Sequence, residues 1–370
     1  MIQDIVVMGA TGKVGKTLIN QILGADGVPL NRKSPVRIVG LSSSTNFLFS
    51  PDGISKQQTR GFISKNYDNT PALADLGEIV DEAKKYRQNS SRLVFVDVTA
   101  LNEPMTSLHL RINEMGYGLG TANKNPIALS HPAVFQQLTE DPSLYGYRCS
   151  VMAGADAVPF LRDARYRGVK LNSIEGCFSG TLGYICSELE KGRKFSEILK
   201  EAKQQGYTEP DPRDDLNGLD VARKMIVLAR TVGYNVEIGD IALEPFIPSS
   251  YFVRGESIEA FLDKSQELDG KFEQMVKEAA EEGKVLRYSG REKVSNGTLS
   301  IRVSLQKVPK DGDLGGLNGT ANQIAVFNEI YPQSPYLIRA PGAGLTITAS
   351  NVARDLLYLP GGMLHQNSMK

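Results

Sequence analysis

The sequence predicts an α/β chain in two parts: a doubly wound domain with a parallel sheet over residues 1–150, and an α+β domain over residues 151–340. Three observations predict it. Strand-like and helix-like segments alternate through the first 150 residues. After that, helices cluster and are followed by alternating strands. At 370 residues, the chain also exceeds one ordinary domain.

The first part opens on the apolar run Ile5-Val6-Val7-Met8. The turn Gly9-Ala10-Thr11-Gly12-Lys13-Val14-Gly15 follows, then a helical pattern through Leu18, Ile19 and Ile22. A second apolar run over 36–41 ends in Ser42-Ser43-Ser44, and a polar loop is expected over 45–70. Residues 72–86 have helical period. Leu93-Val94-Phe95-Val96-Asp97 is a continuous apolar run of the kind buried in a parallel sheet. A helix is expected over 104–115 and a strand over 118–121. Together these give right-handed crossovers and a Rossmann-type sheet.

In the second part, helices are expected at 159–167, 181–191, 195–205, 215–232 and 265–283. Strands are expected at 173–179, 285–288, 299–305, 323–327 and 336–338. The break Arg339-Ala340-Pro341-Gly342-Ala343-Gly344 precedes a closing helix over 345–357, and 361–370 reads as a flexible tail.

Composition narrows the function. Lysine plus arginine balance aspartate plus glutamate at 42 each, so no overall field favours nucleic acid or an anionic membrane. There is no tryptophan and no aromatic–basic alternation, so base stacking has little support. No apolar run approaches the ~20 residues of a membrane span. The start Met1-Ile2-Gln3-Asp4 does not read as a secretory leader. Cys149, Cys177 and Cys186 lack paired spacing and read as reduced core thiols. His109, His131 and His365 are scattered, which disfavours zinc and serine–histidine–aspartate chemistry. The Asn-Gly-Thr triplets at Asn296 and Asn318 read as turns.

Four segments carry chemistry. The first is the GxxGxxG turn, with a strand before it and a helix after it. That context lets backbone approach a pyrophosphate and points free N–H groups at it. The chain offers Ser42, Ser43 and Ser44 at the end of the second strand, where an acid would select NAD. No carboxylate there repels a 2′-phosphate and Lys13 is near, so the reading leans to NADP(H), with NAD(H) possible. The second is Thr121-Ala122-Asn123-Lys124, which lies at the carboxyl edge of the sheet where such folds bind ligands. The third is Gly176-Cys177-Phe178-Ser179-Gly180-Thr181-Leu182-Gly183-Tyr184, a glycine turn ahead of a helix that could hold a carboxylate, with Thr181 adding a hydroxyl.

The fourth segment, residues 206–224, is the most informative. Pro210 and Pro212 exclude helix from its first half. Leu219, Ala222, Ile226 and Ala229 give its second half helical period, with Asp215 or Asn217 as the cap. Asp220 and Lys224 then stand at i and i+4 on one face. On a dry face such a pair is expensive unless it serves a ligand. On a wet one it is an ordinary surface pair contributing about 0.3–0.5 kcal/mol.

These runs, from Gly206 to Lys224, from Ser179 to Tyr184 and Ala122-Asn123-Lys124, resemble homoserine dehydrogenase of the plant and fungal type over nearly the whole chain. The resemblance implies a nucleotide domain completed by the closing helix (340–360), and a middle domain for substrate binding and homodimerisation. It implies reversible NAD(P)H-dependent reduction of aspartate 4-semialdehyde to homoserine, on the route to threonine and methionine, with no regulatory or kinase domain in this length. It also implies a cytoplasmic protein, or a plastid one whose transit peptide has been lost. Lys224 would be the catalytic lysine, with Lys124 a second and Asp220 its partner. Glu209, Asp215, Thr181, Gly180 and Tyr207 would meet the substrate. Gly9, Ala10, Thr11, Gly12, Lys13, Val14, Ser42, Ser43, Thr99, Lys124, Gly342 and Gly344 would meet the cofactor.

The chain departs from the family at two places. Its opening is Gly-Ala-Thr-Gly rather than GxGxxG. The family's sodium site implies a monovalent cation near Val151, Ala153 and Ala155, yet Arg148 stands where the acid belongs; Asp156 would have to compensate, or Arg148 replace the cation's charge. Two rival readings are a sister oxidoreductase for another amino aldehyde and a non-catalytic nucleotide-binding regulator. Aspartate semialdehyde dehydrogenase shares the opening but needs an activated cysteine.

Overall fold

The computed structural model describes residues 2–24, 36–68, 70–85 and 92–362. His365 and the expected tail beyond 362 lie outside the described residues, as does Tyr86 at the end of an expected helix. Two compact units emerge, one from Met1–Gly154 with Ala343–Lys370, the other from Ala155–Gly342.

The first unit holds β1 (Gln3–Met8), α1 (Lys13–Leu23), β2 (Val36–Ser42), β3 (Phe47–Phe49), α2 (Lys56–Ile63), α3 (Gly77–Lys85), β4 (Leu93–Asp97), α4 (Glu103–Glu114), β5 (Gly118–Thr121), α5 (Asn125–Ala128), α6 (Pro132–Thr139) and β6 (Tyr145–Gly146). Its sheet has the order β3-β2-β1-β4-β5-β6. β1, β2, β4, β5 and β6 run parallel, as the continuous apolar runs required. β3 is antiparallel to β2. Only residues 43–46 join them, too few for a crossover, so the chain turns back as a hairpin. The expected polar loop over 45–70 therefore contains a strand and a helix. The signal for the helix was the capping box, in which Ser55 Oγ accepts from Gln58 N and Gln58 Oε1 accepts from Ser55 N. The helix expected from residue 72 starts only at Gly77.

The closing helix, Leu345–Leu356, returns to this unit and buries Ala349, Val352, Ala353 and Leu356 with Ile5, Val7, Leu18 and Ile19. Gln3 ties its end down, donating to Leu356 O at 2.9 Å and Pro360 O at 2.8 Å.

The second unit holds α7 (Ala157–Tyr166), β7 (Leu171–Cys177), α8 (Gly180–Glu190), α9 (Phe195–Gln204), α10 (Arg213–Leu216), α11 (Leu219–Thr231), β8 (Ile241–Leu243), α12 (Ile258–Lys264), α13 (Asp269–Glu281), β9 (Lys284–Ser295), β10 (Thr298–Pro309), β11 (Ala321–Asn328) and β12 (Tyr336–Pro341), after which the closing helix is α14. The expected helix over 265–283 begins as a 3-10 turn, Ser265–Leu268, before α13. The sheet order is β12-β11-β7-β9-β10-β8, antiparallel except where β8 joins β10. Asn296 and Gly297, at φ 51° and 78°, make the two-residue turn between β9 and β10.

β9 fixes the position of α11. A Cβ on Gly290 would stand 2.4 Å from Met225 Sδ, so only glycine lets the helix lie this close. At the helix start, Gly218 has φ 75° and packs against the Tyr288 hydroxyl, which donates to Glu244 O at 2.7 Å.

Glu292 on β9 breaks the apolar logic. It lies in register with Ile174 of β7 and Ile301 of β10, is fully buried, and neither of its carboxyl oxygens has a hydrogen-bond partner. Burial pushes its carboxyl well above the usual carboxylate range. An unmet buried polar group costs about 1–3 kcal/mol. Glu292→Leu is therefore expected to raise Tm by several degrees in calorimetry. A raised pKa in the folded state gives stability at low pH that is lost as pH rises, so the gain should be larger near about pH 8 than near about pH 5. An unchanged or lowered Tm at both would contradict this account.

Candidate active site

In the second unit, residues 206–224 fold as two helical pieces rather than one. Gly218 separates α10 from α11. Neither expected residue is the N-cap of α11: Gly218 holds that position with no side chain, and Asn217, the residue before it, only accepts at Oδ1 from Leu219 N at 2.8 Å. Asp215 does not cap. Its two oxygens accept from Glu209 N at 2.8 Å and from Thr181 Oγ1 at 2.8 Å. Thr181 Oγ1 also lies 2.6 Å from Tyr207 O, so one hydroxyl proton has two acceptors.

The acidic residues of this run divide by partner. Asp211 is held by Arg213, which donates to it from Nε and Nη2 at 2.9 and 2.8 Å. Arg213 also donates to Glu256 O at 3.0 Å and covers the Phe261 ring. That pair braces the proline-containing loop. Glu209 is exposed, and Asp215 is half-buried. Burial is the chief cause that raises the Asp215 carboxyl to about 6; the Glu209 amide and Thr181 hydroxyl oppose it, while the Glu209 and Asp220 carboxylates add to it. Tyr207 packs its ring edge-on to Tyr184 and is 42% exposed.

Lys224 is gripped from two sides. Its Nζ donates to Phe178 O at 2.6 Å and lies 2.7 Å from Asp220 Oδ2. The Lys224 side chain is 11% exposed and that of Asp220 40%. The i, i+4 pair is thus dry at the lysine end and wet at the acid end. Phe178 lies between β7 and α8, so Lys224 ties α11 to the turn before α8. At that turn, Ser179 Oγ caps α8 by accepting from Leu182 N, with Gly180 and Thr181 in the first turn. Gly180 approaches Thr320. The Phe178 carbonyl was invisible to side-chain pattern. So was Asn322 on β11, which is fully buried with neither end of its amide partnered and lies against Gly342.

In the first unit, Gly9 has φ 81° and Gly12 N donates back to Gly9 O at 3.0 Å. A Cβ on Gly15 would lie 2.3 Å from Gly9 O, so the strand–helix turn cannot accept a side chain there. Ala10 N donates to Ser42 O at 2.8 Å. Gly12 caps α1 with no side chain and the first turn, with exposed Lys13 and half-buried Val14, carries no acid, so its leading amides have no side-chain acceptor. After β2, Ser43 Oγ accepts from Thr45 N and Asn46 N in the hairpin turn, which leaves Ser44 as the exposed hydroxyl of the three serines.

Thr99 packs over Gly9, and its N–H donates to Asp97 Oδ1 at 2.8 Å. Lys124 is half-buried and opens α5 beside Asn123, whose Nδ2 donates to Leu101 O at 2.8 Å. Beneath them, His109 bridges Asp97 at 3.0 Å and Tyr145 at 2.8 Å, all fully buried. This network ties the carboxyl end of β4 to the start of β6 through α4, a structural use for a histidine that spacing alone could not assign. Gly344, at φ 144°, begins α14 in a backbone conformation that favours glycine.

The three cysteines are free and buried. Burial pushes Cys149 well up, and Cys177 and Cys186 to about 12, so none is an activated nucleophile. Among the described residues no helix is long and apolar enough to cross a membrane.

The profile of the homoserine dehydrogenase family matches residues 158–357. Homoserine dehydrogenase of Saccharomyces cerevisiae is 31% identical over 364 residues, which cover 96% of this chain and 97% of that one. The Emericella nidulans enzyme is 31% identical over 94% of this chain and 95% of its own. Bifunctional aspartokinase/homoserine dehydrogenase 2 of Zea mays is 33% identical over 94% of this chain, which spans only 37% of that protein. A crystal structure of a protein of unknown function from Candida auris is similar at TM-score 0.81 and 32% identity, covering 96% of this chain and 97% of that one. The fold, the glycine turn and the braced Lys224 agree with those matches: the chain belongs to the homoserine dehydrogenase family.

Proposed function

We propose that this protein is a homoserine dehydrogenase that reduces L-aspartate 4-semialdehyde to L-homoserine, reversibly, with NADP(H) preferred over NAD(H). The observation that carries it is Lys224, anchored at once by the Phe178 carbonyl and the Asp220 carboxylate. An ammonium has three donors. Phe178 O and Asp220 take two, and the third is available to a substrate oxygen.

The bound nicotinamide supplies the hydride. Lys224 places positive charge where the aldehyde oxygen becomes anionic and gives it a proton; in the oxidative direction, it receives that proton from the substrate hydroxyl. Asp220 and the Phe178 carbonyl keep the amine in place. Asp215 and Glu209 grip the substrate ammonium, with Thr181, Gly180 and Tyr207 shaping the same pocket wall. Their chief contribution is orientation.

The glycine turn and uncapped α1 suit a pyrophosphate, and the absence of an acid at Ser42–Ser44 together with exposed Lys13 favours a 2′-phosphate. Ser42, Ser43, Thr99, Lys124, Gly342 and Gly344 complete the proposed cofactor contacts, with Lys124 supporting the nicotinamide end. A homodimer built through the second unit and a cytoplasmic location follow from the family reading. Light scattering on the purified chain tests the former.

Lys224→Ala is expected to lower kcat about 10²–10⁴-fold with little change in KM, measured by the absorbance of the reduced nicotinamide. Wild-type turnover in that variant would remove Lys224 from the chemistry. Homoserine should outperform longer and shorter amino alcohols; a reversed order would favour the sister-oxidoreductase reading.

Glu209→Gln should raise KM for the amino-acid substrate while leaving kcat within a few-fold. Asp215 makes binding pH-dependent. Its raised pKa means the carboxyl gains a proton as pH falls through about 6. Ammonium binding needs the ionised form, so KM should rise below that pH, and Asp215→Asn should flatten the profile. A wild-type KM that stays level from about pH 7.5 to about pH 5 would show that Asp215 does not hold the ammonium.

A further inference from the structure

The family resemblance implies a monovalent cation near Val151, Ala153 and Ala155, but the residues present do not fit one. Each of these carbonyls already accepts a hydrogen bond: Val151 O from Gly154 N at 3.1 Å, Ala153 O from Asn351 Nδ2 at 2.9 Å, and Ala155 O from Ala157 N at 2.8 Å. Among the described residues, no three His, Cys, Asp or Glu side chains gather as a metal site. Where the acid belongs stands Arg148, only 4% exposed. A fixed guanidinium repels a second cation and offers it no oxygen.

The space is filled as well. Gly154 sits so close to α14 that a Cβ on it would lie 2.4 Å from Asn351 Cβ and 2.9 Å from Cys149 Sγ. Gly146 packs just as tightly on Asp355, whose Cβ would be 2.9 Å away. Arg148 donates twice to Asp355, from Nε to Oδ1 and from its own backbone N to Oδ2, both at 3.1 Å. Its guanidinium also lies 5.9 Å from the centre of the Tyr358 ring. Met152 and Ala153 hold φ 52° and 49°, a left-handed turn that non-glycine residues adopt only under constraint.

We infer that Arg148, with Asp355 and Asn351, stands in for an alkali cation. The guanidinium supplies the positive charge. The Asn351 amide satisfies the carbonyl turned out by the strained turn. Both groups clasp α14 to residues 148–154. Asp156 is not needed in this arrangement. The protein's stability and turnover are then indifferent to which monovalent cation is present. The inference does not rest on the proposed reaction, because melting reads it directly.

The test uses the full chain, freed of alkali metals and melted in sodium, potassium or tetramethylammonium chloride at one ionic strength. Tetramethylammonium has no room to coordinate. Wild type should melt within about 1 °C in all three, with kcat/KM within about twofold. A saturable rise in Tm or turnover specific to sodium or potassium would overturn the inference. Arg148→Met leaves Asp355 buried without its counter-charge and should lower Tm equally in every salt. Asn351→Ala should act in the same direction, by less. If Arg148→Met does not fold, that outcome agrees with the clasp, and the wild-type salt series and Asn351→Ala still decide. Wild-type melting of both variants would sink it.

Discussion

A lysine ammonium held between a main-chain carbonyl and a carboxylate is the contact on which the second unit turns. Phe178 O at 2.6 Å and Asp220 at 2.7 Å fix Lys224 Nζ. Much of the surrounding architecture serves that placement. β7 delivers Phe178, and Gly290 and Gly218 let α11 lie flat on β9. Asn217 Oδ1 holds the Leu219 amide at the start of the helix, next to Asp220. Without the short distances that these glycines permit, the amine would swing on a flexible stem and lose its orientation.

The electrostatics around it are deliberately unbalanced. Burial lifts the Asp215 carboxyl to about 6, and the neighbouring Glu209 and Asp220 carboxylates add to the rise. The substrate ammonium proposed for this place would offset that repulsion. Asp211 sits in the same run but is neutralised by Arg213, so its charge is spent on bracing a loop. A linear reading sees an acidic cluster. The fold sorts it into a brace at Asp211 and the cluster of Glu209, Asp215 and Asp220 proposed to meet the substrate.

Much of the fold was legible. The parallel core strands are largely apolar runs, and Gly9 and Gly12 between strand and helix, with Gly15 in the first turn of α1, have the spacing that a close turn requires. The Asp220–Lys224 pair was readable because helical period fixes which side chains share a face. What escaped was whatever depends on distant sequence or on main-chain atoms. The partner of Arg148 is Asp355, 207 positions away. The Phe178 carbonyl has no side-chain signature. β3 looked like loop because three residues are too few to show a period, and its reversed direction follows from the shortness of the connection alone. Asn217 and Asp215 were equal candidates for a cap that Gly218 holds instead; Thr181 and the Glu209 amide claim Asp215.

The return of α14 to the first unit sets an order of events during synthesis. Ala349, Val352 and Leu356 line a core whose other half was made three hundred residues earlier. While the ribosome is still translating the middle of the chain, the sheet around β1 lacks one of its covering helices and leaves apolar surface open. The second unit is continuous in sequence and can close first. The nascent amino-terminal half therefore has to wait, and it is the part of the polypeptide most in need of chaperone protection.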